Sequence, residues 1–235
     1  MPGFQTADIA ALALFAAAWT GYHFYIDGEH AARTNLNSLM NAYRVAWMRE
    51  MSVRDMRMVD TSIAGSLQNG TAFFASTSLL ALGGTATLLR ATDDVLRLFT
   101  DLPFGPVVTR GLWEAKVIGL AVIFGYAFFK FSWSYRLFNY AAVLIGATPS
   151  PQSADAERRR RTAYHAAQMN IAASRHFSRG QRAFFFALGY MGWFVSPYAM
   201  MLTTACIMLV MARRQFSSDA RRALMDEPPA DFGRS

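Results

Sequence analysis

One cysteine, Cys206, and four histidines are all that the 235-residue chain has of thiol and imidazole ligands. A lone thiol excludes an intrachain disulfide, and without a CxxC or Cys/His array structural zinc and iron–sulfur sites are excluded as well. No GxSxG, SxxK or HExxH pattern sets a nucleophile or base beside a partner, so no catalytic residue is assigned and the chain is expected to be non-enzymatic and to need no cofactor. Lysine is nearly absent: Lys116 and Lys130 are the only two among 23 basic residues. No Lys or Arg precedes the first apolar stretch, which lacks the charged start of a signal peptide and outruns its apolar core, so it is expected to stay as a membrane anchor.

What the chain does have is apolar surface, with 53% hydrophobic and 14% aromatic residues against 17% charged. That is too apolar for a disordered chain and unusual for a water-soluble one. The net charge of +7 on such a chain suits anionic lipid headgroups better than nucleic acid, which is not expected as a partner.

Four segments, 6–26, 63–89, 117–134 and 183–212, are long and apolar enough to cross a hydrocarbon core of about 30 Å. None alternates with period two, so the expected fold is all-α, a polytopic membrane bundle of four transmembrane helices. Two amphipathic peripheral helices are expected beside it. The first covers 33–60, where Leu36, Met40, Tyr43, Trp47 and Met51 recur every three or four residues. The second covers 154–177, with Ser153 as its N-cap after the Pro149/Pro151 break and Gly180 as its end. No proline interrupts Trp113 to Ile145, which predicts one long helix past the third span. Residues 1–214 form a single transmembrane domain in this reading, and 215–235 a polar, loose tail.

The stretches RMVDTSIAGSLQNGTAFFASTSLL, KFSWSYRLFNYAAVLIGATP and FSRGQRAFFFALGYMGWFVSP resemble the bacterial membrane proteins called domain of unknown function 599, over most of the chain. The resemblance implies an integral membrane protein of four helices and carries no activity, substrate or cofactor. The expected location is therefore a bacterial inner membrane. An even number of spans puts both termini on one side, and the basic residues, which favour the two larger loops, place those loops in the cytoplasm and both termini in the periplasm.

Several groups of residues are candidates for function. Thr71, Ser78 and Thr85 repeat every seven residues along the second span, either a packing seam or the wall of a polar conduit. Lys130, inside the third span, either snorkels to the headgroups beside Trp133, Tyr135 and Tyr140 or faces a conduit. Pro197 lies mid-span in the fourth segment and leaves the Trp193 carbonyl without its donor four residues on, which predicts a kink or hinge unless a neighbour repairs it. His23, Asp27 and His30 share one helical face and are weak metal candidates, against which Gly28 argues. Met48, Met51, Met56 and Met58 suggest copper(I) less than adaptable packing. Arg158, Arg159, Arg160 and Arg161 form either a solvated face or a contact with anionic lipid. The expected partners are the bilayer, with anionic lipids, and either a second membrane protein or further copies of this chain. An accessory or scaffold subunit and a small oligomeric channel or permease are the two functional expectations.

Overall fold

The computed structural model describes residues 4–27, 36–101, 109–216 and 219–225. Among these residues every regular element is helical: α1 (Thr6–Asp27), α2 (Leu36–Val53), α3 (Met58–Arg90), α4 (Thr92–Asp101), α5 (Arg110–Ala147), α6 (Ala156–Met191), a 3-10 turn (Gly192–Phe194), α7 (Pro197–Phe216) and α8 (Asp219–Met225).

The ends of the long helices follow from local chemistry. The Thr109 side chain caps α5 by accepting from the Leu112 N–H at 3.4 Å. Its far end stops where Thr148, extended at φ −69° and ψ 123°, precedes Pro149, whose ring disfavours helical backbone in the residue before it. Asp155, not Ser153, caps α6, accepting from the Arg158 N–H at 2.9 Å. With 38 and 36 residues, α5 and α6 are about 57 and 54 Å long.

These two helices lie antiparallel along their whole length. Ser134 Oγ donates to the Ala173 carbonyl at 2.8 Å, and Ile145 packs with Ala163, Ala166 and Ala167. On α5, α3 also runs antiparallel, with Phe74 stacked on Phe131 at 5.3 Å. α1 and α7 flank one half of this core: Phe15 meets Phe186 and Tyr190 edge-on, and Tyr25 meets Phe216 at 5.7 Å. α2 flanks the other half, where Met48 and Met51 are buried against the alanine face of α6. The end holding Asp8, Arg110 and Trp193 is called upper below, and the end holding Arg57 and Pro149 lower.

The structure departs from the sequence expectations in five places. Among the described residues two helices, Met58–Arg90 and Arg110–Ala147, are long and apolar enough to cross a membrane, where four such segments are expected. Residues 183–212 are not one helix but the end of α6, a turn and α7, folded back on α6 so that Thr203 Oγ1 donates to the Gly189 carbonyl at 2.7 Å. The expected helix 154–177 is the first part of α6, and Gly180 does not end it. A Cβ at Gly180 would stand 2.7 Å from the Phe131 ring, so glycine lets α5 and α6 approach. The expected helix 33–60 ends at Val53, with Met58 to Asp60 opening α3 and 33–35 outside the described residues. Beyond these, α4 and α8 form where a loop and a loose tail are expected, while 226–235 lie outside the described residues.

Candidate functional site: polar residues inside the bundle

Thr71, Ser78 and Thr85 are all buried where α3 packs on α5. Their hydroxyls donate back along their own helix, to the carbonyls of Leu67 at 2.7 Å, Phe74 at 2.8 Å and Leu82 at 2.6 Å. A hydroxyl satisfied in this way makes no demand on a neighbour, and its small side chain lets a second helix come close.

At the upper end three elements converge on Trp193, only 2% exposed. Lys116 Nζ, on α5, donates to the Trp193 carbonyl at 2.7 Å and lies 5.3 Å from the centre of its ring. The Trp193 indole N–H donates to Asp8 Oδ1 at 2.7 Å. The other oxygen of Asp8 accepts from the Gln5 N–H at 3.0 Å, closing the first turn of α1. Lys116 and Asp8 are 4% and 3% exposed, so opposite charges are buried on either side of one tryptophan. Pro197, four residues after Trp193, is the first residue of α7. Ser196 Oγ accepts from the Ala199 N–H at 3.0 Å, which makes Ser196 the N-cap and Pro197 the position where a missing N–H costs nothing.

The lower end has its own polar lock. Arg57 donates through Nη1 to the carbonyls of Ile145, at 3.2 Å, and Thr148, and through Nη2 to that of Pro149, at 2.7 Å. A cation is thus set against the negative end of α5. Buried Asp60 accepts from the Trp47 indole at 2.7 Å and from Arg54 at 2.8 Å. Arg44, on α2, donates to buried Asn170 at 2.9 Å, and burial holds its guanidinium below the usual arginine range. The loop between α2 and α3 is therefore tied to the end of α5 through Arg57 and to the first turn of α3 through Arg54.

The family profile described as "Protein of unknown function, DUF599" matches residues 10–220. The chain belongs to that family. No curated protein matches it, and no solved structure does. The match takes in most of α1 and all of α2 to α7, so the two locks of this DUF599 protein, apart from Asp8, sit inside the family's own span.

The remaining candidates are scattered through the fold. Lys130 is half-buried, with Nζ 5.1 Å from the centre of the Tyr126 ring on its own helix. Arg158, Arg160 and Arg161 are exposed near the start of α6, while Arg159 is half-buried and donates to the carbonyls of Ser150 and Pro151 at 3.3 and 3.0 Å. His23 lies against Phe24, whereas the Asp27 side chain and all of His30 are outside the described residues. Among the described residues no three His, Cys, Asp or Glu cluster as a metal site would require. The four methionines do not converge, since Met48 and Met51 are buried and Met56 and Met58 exposed.

Two features have no counterpart in the sequence reading. Lys116 sits at the edge of a span and reads there as a boundary residue, and only the fold reveals that it points inward. The second is a groove of about 430 Å³ between α2 and α6, lined by Val45, Met48, Ala163 and Tyr164 and flanked by Arg49 and Arg160.

Proposed function

We propose that this protein is a membrane-embedded scaffold subunit, its upper half in the bilayer and its lower half a helical stalk that docks a partner. Support for the membrane half is a belt without charge on its surface. No Asp, Glu, Lys or Arg occurs at 9–26, 61–89, 117–129 or 183–212, and Phe73, Leu80, Val122, Val195, Tyr198 and Leu202 are each at least 66% exposed there. On α5 the uncharged stretch 117–129 is roughly 20 Å long, and from the ion pair of Arg110 with Glu114 above it to Lys130 below it the helix covers roughly 24 to 30 Å, close to the thickness of a hydrocarbon core.

Folding back at Trp193 makes the number of crossings five: α1, the upper parts of α3, α5 and α6, and α7. Arg90, Arg97 and Arg110 then face one side. Arg44, Arg49, Arg54, Arg57, Arg136, the run at 158–161, Arg213, Arg214, Arg221 and Arg222 all face the other. The positive-inside rule makes that side, with the stalk, cytoplasmic, and turns the start of α1 outward.

The observation that carries the scaffold reading is the stalk groove. Its apolar floor between two arginines suits an amphipathic helix with an acidic rim, and methionine lets such a floor adapt to its occupant. A channel lined by α3 is disfavoured, because the hydroxyl face such a pore needs is packed on α5. Affinity purification from native membranes tests the choice. A stoichiometric partner that is retained by the parent protein and lost from folded Ala163→Arg and Tyr164→Asp variants supports the scaffold. Ion or solute flux through liposomes containing only this protein, unchanged by those two substitutions, overturns it in favour of the channel.

A further inference from the structure

Where the membrane half meets the stalk, α1, α2, α6 and α7 enclose a cleft of about 110 Å³. Arg182 and Arg214 line it, together with Tyr22, Ser178, Asn37 and Gln181. Among the described residues that line it none is a carboxylate. Arg214 lies over the Phe185 ring, 5.4 Å from its centre, a cation–π contact that holds the charge at the cleft. Gln215 also lines the cleft, and its Nε2 is buried with no hydrogen-bond partner among the described residues. Arg179 and His23 line an adjoining crevice together with Arg182.

We infer that this cleft holds a phosphate-bearing anion, supplied in the membrane by the headgroup of an acidic phospholipid such as phosphatidylglycerol. Paired guanidiniums match phosphate oxygens in geometry and charge, and the surrounding hydroxyls and amides add neutral donors. Depth agrees with the chemistry: Arg214 is 16 residues, or roughly 24 Å, along α7 from Tyr198, at the level where the uncharged belt ends and the phosphates of a leaflet begin. The run at 158–161 is roughly 30 Å further from the belt along α6, beyond the reach of that leaflet. The inference thus moves the lipid contact from those four arginines to Arg182 and Arg214, and it rests on the membrane reading above.

The full-length protein, purified and delipidated in neutral detergent, is tested with two probes: phosphatidylglycerol in phosphatidylcholine nanodiscs, followed by native mass spectrometry, and inorganic phosphate in detergent, followed by tryptophan fluorescence. Phosphatidylglycerol is expected to be retained over phosphatidylcholine. Combining Arg182→Gln with Arg214→Gln weakens that retention by about 30-fold, and Arg214→Gln alone by about fivefold should the pair fail to fold. Glutamine at all four of positions 158–161 leaves it unchanged. Phosphate binding as tight as that of the lipid, and lost in the same variants, keeps the anion site and makes a soluble phosphate compound its source. No preference for phosphatidylglycerol together with no phosphate binding overturns the inference, as does full affinity in the folded double variant. Release of the protein from membranes by carbonate sinks the membrane reading instead, and the phosphate titration then still decides on the cleft.

Discussion

Lys116 Nζ stands 2.7 Å from the carbonyl oxygen of Trp193, in the turn where the backbone leaves α6 for α7. Buried lysine otherwise carries a heavy desolvation cost. Here the ammonium meets that carbonyl, the face of an indole and, through that indole, the carboxylate of Asp8. One residue therefore joins α1, α5 and the turn between α6 and α7.

Lys116→Met is accordingly expected to destabilise the protein by about 1–3 kcal/mol, the cost of leaving a buried carbonyl unpaired. Asp8→Asn keeps an acceptor for the indole and should cost less than Asp8→Ala. Thermal unfolding in detergent, followed by the near-ultraviolet signal of the tryptophans, measures all three. A Lys116→Met protein as stable as the parent would show that the carbonyl finds another donor.

Lys130 makes the contrast. Half-buried and set over Tyr126, it has a cation–π contact worth about 0.5–1 kcal/mol at exposed sites, and Lys130→Met should shift stability by no more than that. Equal losses from Lys130→Met and Lys116→Met would mean that the two lysines play similar parts, against the geometry.

These two lysines also mark what a sequence reveals. Helical class and the two longest apolar helices are legible because periodicity and hydropathy act along one chain. Burial of Lys116 is not, since it depends on which carbonyl lies opposite, 77 residues on. The break at Pro197 was open to a second reading: Ser196 followed by Pro197 is the chemistry of a helix start, yet the uncharged run from 183 to 212 reads as one span. Gly180 misleads for a related reason. Glycine both ends helices and admits close neighbours, and only Phe131 across the interface decides between the two.

At Gly180 the prediction is steric. An added methyl meets three atoms of the Phe131 ring at 2.7 to 2.9 Å, and that ring is itself fully buried against Phe74 and Phe177. Gly180→Ala should therefore cost about 1–3 kcal/mol by overpacking, although alanine favours helix. Adding Phe131→Leu to Gly180→Ala should recover part of the loss, and a double-mutant cycle of unfolding midpoints detects the coupling. Additive effects would place the two residues out of contact.

The Arg57 lock predicts a local failure. Arg57→Ala removes a guanidinium from three carbonyls at the end of α5, a loss of about 2 kcal/mol for charged hydrogen bonds at a helix terminus. Hydrogen exchange should quicken in the last turn of α5 and the first turn of α3 while the upper half keeps its protection. Arg57→Lys, with the charge but not the fork of donors, should restore only part. Uniform loosening of the whole bundle would contradict a local cap.

Crossing number gives the last test. Four spans put the start of α1 and the end of α7 on one side, where Arg213, Arg214, Arg221 and Arg222 oppose the basic loops. In the five-crossing arrangement proposed above, those arginines join Arg49, Arg57 and the run at 158–161 on a single basic face, as the positive-inside rule favours. A reporter active only outside the cytoplasm should thus be silent when fused after Ser235 or inserted at Gln152, and active when placed ahead of Gln5. A cytoplasmic reporter should give the reverse. Matching activity at Gln5 and Ser235 would restore the even count and require α6 and α7 to enter and leave the bilayer from the same face.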